Sequence, residues 1–173
     1  MPETQVPSTI IKLWRAFVPR WAYMPLSGAG ATRFGGRWNA IGQPAIYAAR
    51  EISTAWAEYN QGFVQHPALL VQFELEGASL VDLTDADTLA QCGLTAEIHH
   101  CEWRLLLDQG KSVPTHEVAA RLLAEGHDGV IYPSFMSRGG TCVALWRWNE
   151  ASAPSLRTID PEGRLPKSPA SWL

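Results

Sequence analysis

No apolar run in this sequence approaches the ~20 residues that a membrane-spanning helix requires. The opening stretch, MPETQVPSTIIKLW, also lacks the basic head and apolar core of a leader. The expectation is a cytoplasmic protein with no membrane partner. Cysteine is scarce: Cys92, Cys101 and Cys142 are odd in number, widely spaced and without a CxxC pair, which fits reduced thiols better than disulfides. An excess of positive charge is missing too. With a net charge of −3 and a pI near 5.9, the chain has no electrostatic case for wrapping nucleic acid, so any nucleotide is expected as a small ligand. The phosphate-binding patterns GK[ST] and GxGxxG are absent, and no GxSxG elbow surrounds any serine. His99, His100 and Cys101 are adjacent residues of an expected helix, pointing apart, and no second pair has zinc spacing, so no metal is expected. No internal repeat is visible.

What remains is a chain of 173 residues, enough for one domain with a real core. Residues 1–8 are expected to be frayed, 9–150 to form the folded body, and 151–173, rich in Pro, Ser and charge, to be an extended arm. The eight tryptophans are spread along the chain, which predicts core and rim rather than one stacking platform. Alternation predicts strands over Thr9–Val18, Ala45–Ala48, Leu70–Gly77, Val81–Leu83, Gly129–Tyr132 and Thr141–Trp148. Helices are expected from Ser53, as N-cap, to about Phe63, over Asp85–Gln91, as one piece over Thr95–Asp108 with Ile98, Cys101 and Leu105 inward, and over Thr115–Glu125. Pro19–Gly36 reads as an ordered loop. Strands at irregular spacing mixed with helices predict an α+β fold with a mostly antiparallel sheet and flanking helices.

The stretch ATRFGGRWNAIGQPAIYAAREISTAWAEY, Ala31 to Tyr59, gathers the chemistry. Arg33 and Arg37 flank a glycine pair, where backbone N–H groups and a guanidinium fork suit a pyrophosphate; the same Gly-Gly before an aromatic is also an ordinary hairpin turn. Glu58 sits on a helix with few charges, as a paired or working carboxylate or as a solvent-facing one. Tyr47 is a core-edge aromatic whose hydroxyl needs a partner. Ser134 follows Tyr132-Pro133 where a strand meets a glycine loop, which exposes its hydroxyl to a cleft. His66, His116 and His127 stand at segment boundaries and read as surface residues.

The GGRWN block, the P-x-x-Y strand and the A-x-A-E helix, with LWRAF upstream and HDGVIYPSFMSRGGTCVALW downstream, resemble the RES domain, named for its arginine, glutamate and serine. The resemblance runs from about Trp14 to Trp148 and makes 9–150 the RES domain. It implies a fold similar to the diphtheria-toxin-like ADP-ribosyltransferases and the toxin of a toxin–antitoxin pair, with a Xre-type helix-turn-helix antitoxin as partner. The implied activity is cleavage of the nicotinamide–ribose bond of NAD+, which is then the substrate, with water or phosphate as acceptor. The alternatives are a toxin that transfers ADP-ribose to a protein and a non-catalytic nucleotide-binding module. By the same resemblance Arg37, Glu58 and Ser134 are the catalytic residues, and Arg15, Arg33, Arg37, Tyr47 and Ser134 contact the dinucleotide.

Overall fold

The computed structural model describes residues 9–62 and 64–172; the stretch 1–8, expected to be frayed, lies outside the described residues. The strands are β1 (Ile10–Phe17), β2 (Ile46–Ala49), β3 (Leu69–Glu76), β4 (Leu80–Asp82), β5 (Gly129–Pro133), β6 (Thr141–Leu145) and β7 (Ser155–Ile159). The α-helices are α1 (Ala29–Phe34), α2 (Ile52–Asn60), α3 (Ala86–Gln91), α4 (Trp103–Asp108) and α5 (Pro114–Ala124). The strands form one seven-stranded sheet in the order β4-β5-β6-β2-β1-β3-β7. Neighbours run antiparallel except the parallel pair β4–β5. The fold is thus α+β with a mostly antiparallel sheet.

Period-2 alternation sorts the central strands onto two apolar layers. On β6, Cys142 and Ala144 face a layer shared with Trp38, Ala55 of α2, Leu89 of α3, and Val118 and Leu122 of α5. Val143 and Leu145 face the other, with Leu13, Val71, Phe73, Leu75 and Leu156. Because both faces of the middle strands are covered, Thr141–Leu145 reads as a continuous apolar run.

The strands β1 and β3 are in register along their whole length, from Ile10↔Glu76 to Phe17↔Leu69. By contrast β1 meets β2 through the single registered pair Trp14↔Ala49. The sheet therefore opens between β1 and β2, and residues of both strands line the cavity that results.

Four expectations need correction. Pro19–Gly36 is not all loop: it contains a 3-10 turn, Pro19–Trp21, and α1, a helix too short for its period to stand out among the surrounding glycines. Helix α2 begins at Ile52 with Glu51, not Ser53, at the N-cap, and ends at Asn60, where Gln61 turns left-handed at φ 50°. The carboxylate of Glu51 reaches across to the N–H and hydroxyl of Thr141 instead of capping its own helix. Thr95–Asp108 is broken into a 3-10 turn, Ala96–His100, and α4, and Leu105 is exposed. Finally, the expected arm 151–173 supplies β7, which pairs with β3 at the sheet edge and buries Leu156. Of the tryptophans, Trp38 and Trp146 are core, whereas Trp21 and Trp56 are exposed. Among the described residues no helix is long and apolar enough to cross a membrane.

Candidate functional site

The Gly-Gly pair of the GGRWN block makes a tight turn closed by the Gly36↔Asn39 bridge. Gly35 is left-handed at φ 70°, and a Cβ on Gly36 would lie 2.5 Å from the Tyr47 hydroxyl and 2.7 Å from Asn39 Oδ1. That hydroxyl accepts from the Trp38 N–H at 2.8 Å and donates to Asn39 Oδ1 at 2.7 Å. Asn39, fully buried, donates through Nδ2 to the carbonyls of Ala31, Ala40 and Gln43. From the other side α5 grips the turn: Thr115 donates to the Arg37 carbonyl, and His116 Nε2 donates to the Gly36 carbonyl at 2.7 Å. His116 is therefore a structural tie and not the surface residue its position suggested.

The N–H groups of Gly35, Gly36 and Trp38 are consequently engaged with Ala31 O, Asn39 O and the Tyr47 hydroxyl. They do not form an anion cradle. What the turn presents instead is the Arg37 side chain. Its Nη1 donates to the carbonyls of His99 at 3.0 Å and Cys101 at 3.4 Å, and its guanidinium lies 5.9 Å from the Phe135 ring centre. Those two carbonyls stand at the break between the 3-10 turn and α4, where no continuous helix uses them.

Arg15, from β1, lines the same cavity with its guanidinium 4.7 Å from the Phe17 ring centre, and burial pulls its pKa down from the usual arginine value. Among the described residues no carboxylate lies within ion-pair distance of Arg15 or Arg37. Two half-buried cations without anionic partners face one cavity, an arrangement that favours a bound anion. Arg33 is elsewhere: it is exposed, its guanidinium lies 5.1 Å from the Phe34 ring centre, and it is not among the residues lining the cavity. The two-arginine clasp around the glycines thus reduces to Arg37, with Arg15 as its partner across the cavity.

Glu58, on α2, receives the Ser134 hydroxyl on Oε1 at 2.6 Å and the Cys142 thiol on the same oxygen at 3.8 Å. The solvent-facing alternative for Glu58 is thereby excluded. Ser134 Oγ in turn accepts from the N–H groups of Ser137 at 2.9 Å and Met136 at 3.2 Å, so its proton is aimed at Glu58. The serine loop is closed by Ser134 N–H to Gly140 O at 2.8 Å, and it lies so close to α2 that a Cβ on Gly140 would sit 2.1 Å from Thr54 Oγ1. Burial, helped by the charge of Glu58, pushes the Cys142 thiol up to about 12, so it stays protonated. Burial likewise raises Tyr47 and Tyr132, leaving both phenols neutral. His99 donates Nε2 to the Leu83 carbonyl at 2.9 Å, and burial lowers its pKa. Among the described residues no three His, Cys, Asp or Glu side chains are grouped as metal ligands.

Arg15, Arg37, Tyr47 and Glu58 thus line one cavity of about 880 Å³, with Ser134 bonded behind Glu58. That volume suits a ligand of nucleotide size. The contiguous stretch 99–105 forms another part of the lining. Sequence reasoning missed Asn39, Gly140, Cys142 and Phe135. All four stand inside the quoted motifs; Asn39 and Gly140 were open to question as the asparagine after Arg-Trp and the second glycine of a pair, whereas nothing in the pattern singles out Cys142 or Phe135.

The model of the RES domain matches residues 12–168. Two curated proteins named "Toxin Res" are similar. The one from Photorhabdus laumondii subsp. laumondii is 36% identical over 81 residues, 44% of this chain and 51% of that protein. The one from Yersinia enterocolitica is 38% identical over 63 residues, 36% of this chain and 41% of that protein. The chain spans about half the length of the curated relatives it matches. Among solved structures, the crystal structure of the M. tuberculosis MbcT–MbcA toxin–antitoxin complex has a chain that superposes with a TM-score of 0.63 at 19% identity, covering 95% of this chain and 87% of that one.

Proposed function

Since the chain belongs to the RES domain family, we propose that it is the toxin of a toxin–antitoxin pair and consumes NAD+ by cleaving the nicotinamide–ribose bond. The observation that carries this reading is the pairing of Glu58 with Ser134 in a cavity that also holds two guanidinium groups without carboxylate partners.

In this reading Arg15 and Arg37 bind the pyrophosphate of NAD+ and fix the dinucleotide along the cavity. Tyr47, whose hydroxyl is tied to Trp38 and Asn39, offers its ring to the nicotinamide. As the C–N bond breaks, its electron pair leaves with neutral nicotinamide, so no acid is needed. Positive charge develops on the ribose, and the ionised Glu58 stabilises it. Ser134 orients the carboxylate through Oε1, leaving Oε2 for the ribose hydroxyls. The acceptor, water or phosphate, then bonds to the ribose carbon and gives its proton to solvent. The partner in this reading is an antitoxin, supported by the toxin–antitoxin complex among the solved structures of similar fold, and its Xre helix-turn-helix type rests on the motif resemblance alone. The site of action is the cytoplasm.

Purified antitoxin-free protein incubated with NAD+ tests this. Nicotinamide release in buffer alone means a glycohydrolase, release that requires phosphate a phosphorylase, and label from NAD+ on one lysate protein a transferase. No release under any of these conditions rejects the reading.

A further inference from the structure

Phe135 is the most exposed large apolar side chain among the described residues, at 74%, yet it lines the cavity. Its loop does not need it. The loop's shape is set by Ser134 N–H to Gly140 O, by Gly140 N–H to Ser137 O, and by the N–H groups of Met136 and Ser137 on Ser134 Oγ. A well-tied loop therefore holds an aromatic ring in water directly after the serine bonded to Glu58, with the Arg37 guanidinium 5.9 Å from its centre. Phe34 and Leu105, also exposed, line the same cavity. Cys142 and Tyr132, beside Glu58, are buried, so the carboxylate end of the cavity is its floor and Phe135 stands at its mouth.

We propose that Phe135 is the platform on which the adenine base of the dinucleotide stacks, outward of Arg37. This rests on the reading of NAD+ as substrate and says which half of the molecule meets which wall. The reacting ribose belongs at Glu58 on the floor and the pyrophosphate at Arg37, so the remaining nucleoside reaches the mouth. An adenine offers a flat face that prefers offset stacking on a phenyl ring, and Phe135, 74% exposed, offers such a ring. An apolar rim alone would equally suit a protein chain. A guanidinium beside the ring favours a ligand that carries phosphate within a few ångströms of an aromatic base, which a nucleoside diphosphate does.

The test is equilibrium binding of ADP and of inorganic pyrophosphate, by titration calorimetry, to the full chain and to its Phe135→Ala and Phe135→Trp variants. The wild type is expected to bind ADP more tightly than pyrophosphate. Phe135→Ala is expected to lose about tenfold in ADP affinity with little change for pyrophosphate, and Phe135→Trp to restore it. Equal losses for both ligands, or a wild type with no preference for ADP, overturn the assignment. So does a Phe135→Ala protein that keeps its ADP affinity and instead loses its grip on an antitoxin, which would give the ring to a protein partner. Because binding is read without turnover, an unchanged ADP preference in a protein that releases nicotinamide rejects the stacking role alone.

Discussion

The hydrogen bonds to Glu58 among the described residues all fall on Oε1, from Ser134 and Cys142. One half of the carboxylate is thus fixed and the other left for chemistry, which separates this glutamate from an ordinary helix-surface one. The motifs that carry Arg37, Glu58 and Ser134 are distinctive in combination, and the fold brings Arg37 and Glu58 to one cavity with Ser134 bonded to Glu58. Their coupling is not legible in the sequence, since a serine 76 residues further along the chain reaches the glutamate only through tertiary structure. Arg33 was read with Arg37 as a contact to the dinucleotide, but of the two only Arg37, on the turn tied by Asn39 and Tyr47, lines the cavity. Cys142 gives a prediction at this scale. With its pKa near 12 and its side chain buried, it should resist alkylation by iodoacetamide at pH 8 in the folded protein and react once the protein is unfolded in denaturant. Peptide mass spectrometry reads this, and rapid modification in the folded state would contradict the buried pairing with Glu58.

At the level of elements, the sequence disclosed strands and helices with a sustained period and hid those whose shape serves a distant partner. The alternation of Val71, Phe73 and Leu75 predicted β3 to within one residue at each end. The split of Thr95–Asp108 has no local mark in the apolar period, and the carbonyls at the break are taken by Arg37, more than 60 residues away in the chain. The Gly140 contact is of the same kind. Gly140→Ala places a methyl against Thr54 and is expected to destabilise by about 1–3 kcal/mol in urea unfolding. A second change, Thr54→Ala, should recover part of that loss, as coupled neighbours do; simple additivity would mean that the loop does not press on α2. Strand β7 was read as an arm because its composition is polar, although Leu156 is only 2% exposed. Leu156→Ala is expected to cost roughly 2–4 kcal/mol. A change below about 0.5 kcal/mol, the size of an ordinary surface substitution, would restore the arm.

For the whole molecule, the α+β class followed from the mixture of short strands and helices, but the opening of the sheet did not. Strands β1 and β2 share a single registered pair, Arg15 of one and Tyr47 of the other line the cavity, and no local pattern in either strand announces that. Around the opening, β1 and the glycine turn supply cations, β2 an aromatic ring, and α2 with the serine loop a fixed carboxylate. Each depends on a different part of the chain, so the site forms when the fold does. Whether the charge of Glu58 drives cleavage of NAD+ is measured most directly by nicotinamide release from the purified wild type and from Glu58→Gln, side by side. The substitution keeps the shape and removes the charge. Release by the wild type and a fall of roughly a hundredfold or more in kcat for the variant are expected. Equal rates in the two proteins would contradict that role for the charge.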